Sequence, residues 1–183
     1  MKYLAKVFSV FIIICVSFTG CYDFGTFHTN DILEYGSEDN YIALPDYFPG
    51  SIYNYDVNDY SYTVYSYMDV CYEIFLDVTV PKEEFDSLLE RAKAYSENYY
   101  EQAAYYKEGY SEIVFIDEYS INDKKDKNVW NAKIEKVVFN PLTYNLVFIS
   151  FDAFDSGVYP LDEVAYFNRF GIDQNEYIKH IAK

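Results

Sequence analysis

Residues 60–80 read YSYTVYSYMDVCYEIFLDVTV, and their polarity alternates along the whole run. The even positions hold Tyr60, Tyr62, Val64, Met68, Val70, Tyr72, Ile74, Leu76, Val78 and Val80, with Ser66 the one small polar exception. The odd positions, from Ser61 through Asp69, Glu73 and Asp77 to Thr79, are mixed. A period of two sends successive side chains to opposite faces of a strand. The even set is therefore expected to face a core and the odd set to look mostly outward. At about 3.3 Å per residue the run would reach roughly 70 Å as one straight strand. A compact domain of this length, with a radius of gyration near ~15 Å, is only about 40 Å across. The run must bend, bulge or split, and residues 67–70 are the expected place.

Pro81 ends the alternation and suits the first turn of a helix, where its missing N–H costs nothing. Glu83 and Glu84 follow where the helix dipole favours acids. Phe85, Leu88, Leu89, Ala92, Tyr95 and Tyr99 then fall on one apolar stripe, which predicts a helix over 82–99. Residues 98–110 hold Tyr99, Tyr100, Tyr105, Tyr106 and Tyr110, a pattern that fits a second helical piece or an aromatic-lined loop. Further strands are expected at 112–120, at 129–139 and at 144–154. The second of these alternates through Trp130, Ala132, Ile134 and Val138, with Lys136 the exception; the third is nearly all apolar, as a central strand buried on both faces would be. A charged loop at 122–128 and a turn at 140–143 separate them. Beyond 160, Leu161, Val164, Ala165 and Phe167 predict a helix that Gly171 stops, and Asp173 is a suitable cap for a last short one.

These elements predict an α+β fold: a four- or five-stranded antiparallel sheet packed by one long helix, in the order strand, helix, strand, strand, strand, with short C-terminal helices. Cystatin-like and similar small folds share that order, and a likeness at fold level implies no function.

The first twenty residues carry a separate message. Lys2 and Lys6 precede the mainly apolar run VFSVFIIICVSF at 7–18, which is too short to span a bilayer as a helix. Phe18-Thr19-Gly20-Cys21 follows, and it resembles the lipobox of bacterial lipoproteins, with Phe18 where Leu is usual. The resemblance covers the first 21 residues. It implies diacylglycerol on the Cys21 thiol, cleavage before Cys21, and a chain held at the outer face of the cytoplasmic membrane. The organisation expected is a signal peptide at 1–20, a lipid-anchored flexible tether at 21–43, and a single domain at 44–183. A tether of that length would reach roughly 25 Å, with His28 solvated in it. The mature part resembles the small uncharacterised lipoproteins of low-GC Gram-positive bacteria. With Cys15 removed and Cys21 acylated, Cys71 stands alone and no internal disulfide is expected.

Acidic residues outnumber basic ones 30 to 14, and the formal charge of −16 repels nucleic-acid phosphates, so no nucleic-acid partner is expected. The sequence has no GxGxxG, GxxxxGK[ST], HExxH, CxxC or GxSxG. His28 and His180 are the only histidines, and neither is placed for a preorganised base. No cofactor is expected. Calcium is chemically conceivable at Asn54, Asp56, Asn58 and Asp59, or at Asp152 and Asp155, although neither group has EF-hand spacing.

Tyrosine is the unusual component, 23 residues beside 15 Phe. Tyr65, Tyr67, Tyr99, Tyr100, Tyr105 and Tyr106 form the candidate surface for a glycan or an envelope protein, against the plainer reading that they pack in the core and its rim. The expected function is a non-enzymatic binding or interaction module. The alternatives are a small cell-envelope hydrolase using paired carboxylates and an inhibitor or immunity-type protein.

Overall fold

A computed structural model describes residues 26–37, 42–66, 70–104, 107–121, 129–153 and 169–172. Seven strands, one α-helix and a single 3-10 turn (Ile32–Glu34) are defined in them: β1 (Thr26–Thr29), β2 (Asp56–Ser66), β3 (Val70–Thr79), α1 (Lys82–Tyr95), β4 (Tyr100–Ala103), β5 (Ser111–Ile121), β6 (Val129–Asn140) and β7 (Asn145–Ala153). The strands form one sheet in the order β1-β2-β3-β7-β6-β5-β4, and every pairing is antiparallel.

The 60–80 run splits into the hairpin of β2 and β3, closed between Ser66 and Val70. Tyr60, Tyr62, Val64, Ile74, Leu76, Val78 and Val80 are buried together on one face, as the alternation predicts. The odd set does not look outward. Ser61, Thr63, Cys71, Glu73 and Phe75 are also buried, because the second face of the sheet is covered as well. Phe170 lies on that second face with its ring 6.2 Å from the Phe75 ring.

The expected four- or five-stranded sheet with a long helix is corrected in three places. Residues 100–103, undecided between helix and loop, pair with Ser111–Val114 as edge strand β4. Residues 26–29, inside the stretch expected to be a flexible tether, pair with β2 as edge strand β1, and the His28 Nδ1 atom lies 2.8 Å from Thr63 Oγ1. The helix ends at Tyr95, four residues early, and contributes only Phe85, Leu88 and Ala92 to the core. Tyr95 and Tyr99 continue its stripe on paper but are 38% and 37% exposed, so burial does not extend the helix through them. The C-terminal helices expected beyond 160 lie outside the described residues except at 169–172.

A turn at residues 45–48, closed by the Phe48 N–H donating to the Pro45 carbonyl, plugs the helix-side core. Tyr47 and Phe48 are fully buried there, with the Tyr47 ring 4.9 Å from Phe115 and the Phe48 ring 5.4 Å from Phe148. β7, between β3 and β6, is buried on both faces, as its apolar run predicts. The two edges, β1 and β4, are four residues each. Short edges offer little template to another strand.

Candidate functional site

Asn58 is an extra residue in β2. Val57 pairs with Val78 and Asp59 pairs with Asp77, so Asn58 has no partner of its own and bulges. A bulge re-aims the side chains beside it. Here it brings Asn58 and Asp59 together against Asp77 on the second face of the sheet: the Asn58 amide donates to Asp77 Oδ1 at 2.9 Å.

Asp59 directly opposite Asp77 sets two acids at a cross-strand position, where like charges repel. Each has a compensating partner. Arg169 Nε is ion-paired with Asp59 Oδ2, and Arg169 Nη1 donates to Ser61 Oγ at 3.2 Å. Asp77 Oδ1 accepts a second bond, at 2.6 Å, from the Asn145 amide, which also donates to the Val78 carbonyl. The Arg169 guanidinium lies 4.3 Å from the centre of the Phe75 ring, held by charge on one side and by the ring's π face on the other.

These groups line a recess of about 450 Å³ together with Lys107 and Phe170. Its volume is in the range of small-molecule sites. Lys107 is carried on the link between β4 and β5, where Gly109 takes a positive φ of 80° and the Tyr110 N–H closes back onto the Lys107 carbonyl. The Lys107 ammonium is 4.0 Å from the centre of the Tyr110 ring and 4.9 Å from that of Phe170, and it forms no ion pair among the described residues. The recess therefore combines two acids, two bases, an amide and two aromatic rings.

Two further polar groupings lie in the sheet. Lys136, the exception in the β6 alternation, is wholly buried between Asp117 Oδ2 at 3.3 Å and Glu112 Oε2 at 3.6 Å. A bulge at Phe115 turns Asp117 to the same face as Glu112, five residues away, and Gln102 donates to Glu112 at 2.6 Å. On the helix side, Glu135 accepts from the Tyr95 hydroxyl at 3.1 Å, and Lys133 bridges Glu135 and Asp152 at 3.4 Å each. Burial, then the Glu135 charge, pushes the Tyr95 phenol up to about 12. Burial works to lower the Lys133 ammonium, but Glu135 and Asp152 outweigh it and hold the group above its ordinary value.

Of the tyrosines expected to form a binding surface, Tyr65, Tyr99 and Tyr100 lie among the described residues. Tyr99 and Tyr100 are adjacent and partly exposed beside the β4 edge. Tyr65 stands on β2, five strands away in the sheet order. At about 4.8 Å per strand that is roughly 24 Å. Tyr67, Tyr105, Tyr106 and Cys21 lie outside the described residues. Among the described residues no helix is long and apolar enough to cross a membrane. No group of three or more His, Cys, Asp or Glu is gathered there as metal ligands would be. Of the positions considered for calcium, Asn58 and Asp59 line the recess, and Asp155 lies outside the described residues.

Sequence reasoning singled out Asn58 and Asp59 only as oxygen donors and missed Phe75, Asp77, Lys107, Arg169 and Phe170. Asp77 could have been suspected as an acid within a strand. Its convergence with Arg169, 92 positions later, carried no local signal. The chain matches no family model, no curated protein and no solved structure.

Proposed function

We propose that this chain is a lipoprotein anchored through Cys21 at the outer face of the cytoplasmic membrane, and that its domain is a non-enzymatic module binding a small polar ligand. The Phe18-Thr19-Gly20-Cys21 motif after a short apolar run supports the anchor. One observation supports the binding role above the rest: the recess of about 450 Å³, whose charged groups are held in place by neighbours. Positioned polar groups beside apolar walls are what small-molecule recognition requires. Among the described residues, its lining holds no cysteine, histidine or hydroxyl side chain.

The hydrolase reading keeps one observation in its favour, the direct pairing of Asp59 with Asp77. It ranks second. Glycoside hydrolysis needs one carboxyl kept as a water-shielded acid. The Asp59 side chain is 39% exposed and ion-paired, and Asp77 takes two amide donors.

The test has two arms. Mass spectrometry of the protein from its own cells should show a diacylglyceryl group on Cys21, and Cys21→Ser should release the chain from membranes. Screening polar metabolites by melting temperature should find a ligand whose stabilisation disappears in Asp77→Ala. An unlipidated Cys21 overturns the anchor. Ligand shifts that persist in Asp77→Ala overturn the recess as the seat.

A further inference from the structure

The charges in the recess do not all balance one another. Asp59 and Arg169 form an internal pair. That leaves Asp77 and Lys107, of opposite sign, lining the same recess more than 4.0 Å apart. Asp77 Oδ1 is occupied by two amides, while Oδ2 accepts no bond among the described residues. Lys107 rests on two rings and forms no ion pair among the described residues. We infer that the recess takes a small zwitterion, an amino acid or short peptide, whose ammonium meets Asp77 Oδ2 and whose carboxylate meets Lys107. The inference rests on the binding role proposed above.

The chemistry favours one molecule with both charges over separate ions. A group with a single charge would satisfy one end and leave the other to water. A molecule that spans both ends replaces two hydrated charges with two charge-assisted hydrogen bonds. Phe170 and the edge of the nearly buried Phe75, which lies under the Arg169 guanidinium, add apolar lining to the same recess. Asn58 lends specificity. Its amide is fixed on Asp77, and its carbonyl oxygen is left as an acceptor for a second ammonium proton. The net negative charge of the protein works against simple anions reaching the site, and a zwitterion carries no such penalty.

Titration calorimetry on the full-length lipidated protein in detergent tests this. The probes are L-alanyl-L-alanine, its N-acetyl derivative, its methyl ester, and glucose as a neutral polar control. The dipeptide is expected to bind. Removing either charge should weaken binding roughly tenfold or more, the scale of one charge-assisted hydrogen bond. Asp77→Asn should erase the difference between the dipeptide and its N-acetyl form, and Lys107→Met the difference between the dipeptide and its ester. Lys107 is on a connecting segment, so Lys107→Met serves alone if Asp77→Asn does not fold. Dipeptide binding that neither variant changes overturns the inference. Binding of glucose in preference to the dipeptide overturns it and leaves the binding role standing. If none of the four probes binds and the metabolite screen also finds nothing, both fall.

Discussion

Lys136 Nζ lies 3.3 Å from Asp117 Oδ2, and the lysine side chain has no contact with solvent. A bulge one strand away makes this possible, since regular pairing would turn Asp117 to the other face. A buried ion pair adds less stability than its Coulomb attraction suggests, but removing one member strands the others. Lys136→Met leaves Glu112 and Asp117 without their cation and should destabilise the fold by about 3–5 kcal/mol. Adding Glu112→Gln and Asp117→Asn to it should recover most of that loss. Urea melts of the single and triple variants decide; equal midpoints would show that the three groups are hydrated.

Tyr47 ties the 45–48 turn to the central strand by donating at 2.6 Å to the Ile149 carbonyl, across 102 positions of sequence. Tyr47→Phe keeps the ring contacts and should cost about 1 kcal/mol. Tyr47→Ala also removes the ring that packs against Phe48, Tyr95 and Phe115 and should cost about 3–5 kcal/mol. Denaturant midpoints that fall equally for the two would place the whole contribution in the hydroxyl.

Burial raises the phenols of Tyr35, Tyr47, Tyr55, Tyr60, Tyr72 and Tyr95, with Tyr55, Tyr60 and Tyr95 reaching about 12. In the unfolded chain the same groups ionise near pH 10. Below pH 10 both states hold these protons and the contribution to stability is fully present. Between about pH 10 and 12 the unfolded chain loses them first, so stability falls as pH rises. The melting temperature should be insensitive to these groups up to pH 10 and drop steeply above it. Phenolate absorbance of the folded protein should lag behind that of a urea-unfolded sample. Coincident titrations would show that the tyrosines are solvated.

Deleting Asn58 removes the bulge between the Val57–Val78 and Asp59–Asp77 pairs. Val57 can still pair with Val78 and Asp59 with Asp77, now as consecutive residues, but the Asn58 amide that bonds Asp77 and Thr79 is lost and the local twist of the bulge with it. A loss of about 1–3 kcal/mol is expected, the common range for a disrupted packing position, together with loss of ligand-induced stabilisation. Retained ligand binding in the deletion variant would show that the recess does not need the bulge.

Much of the sheet is legible in the residues. The alternation at 60–80 sets the core face of the hairpin, and the length argument locates its break. The apolar run at 144–154 identifies the central strand. The errors come from short or doubly covered elements. Four-residue β1 and β4 have no periodicity to read, and their pairing partners decide them. The odd face of β3 looks solvent-facing because Glu73 and Asp77 sit on it, yet Phe75 is buried between them. The recess was the least legible part. Two bulges shift the parity of β2 and β5, and a bulge leaves no mark in composition.

The sheet also divides the chain in a way that can be used. β1, β2 and β3 form one sequence-continuous meander and β4 to β7 another, and only the β3–β7 ladder joins them. A cut between Ser96 and Tyr99 would leave every other strand pair within a single fragment. Asn58, Asp59, Phe75 and Asp77 belong to the first fragment, and Lys107, Arg169 and Phe170 to the second. Neither half owns a binding site. Two separately made fragments would thus act as a split receptor, whose ligand promotes complementation along the β3–β7 ladder.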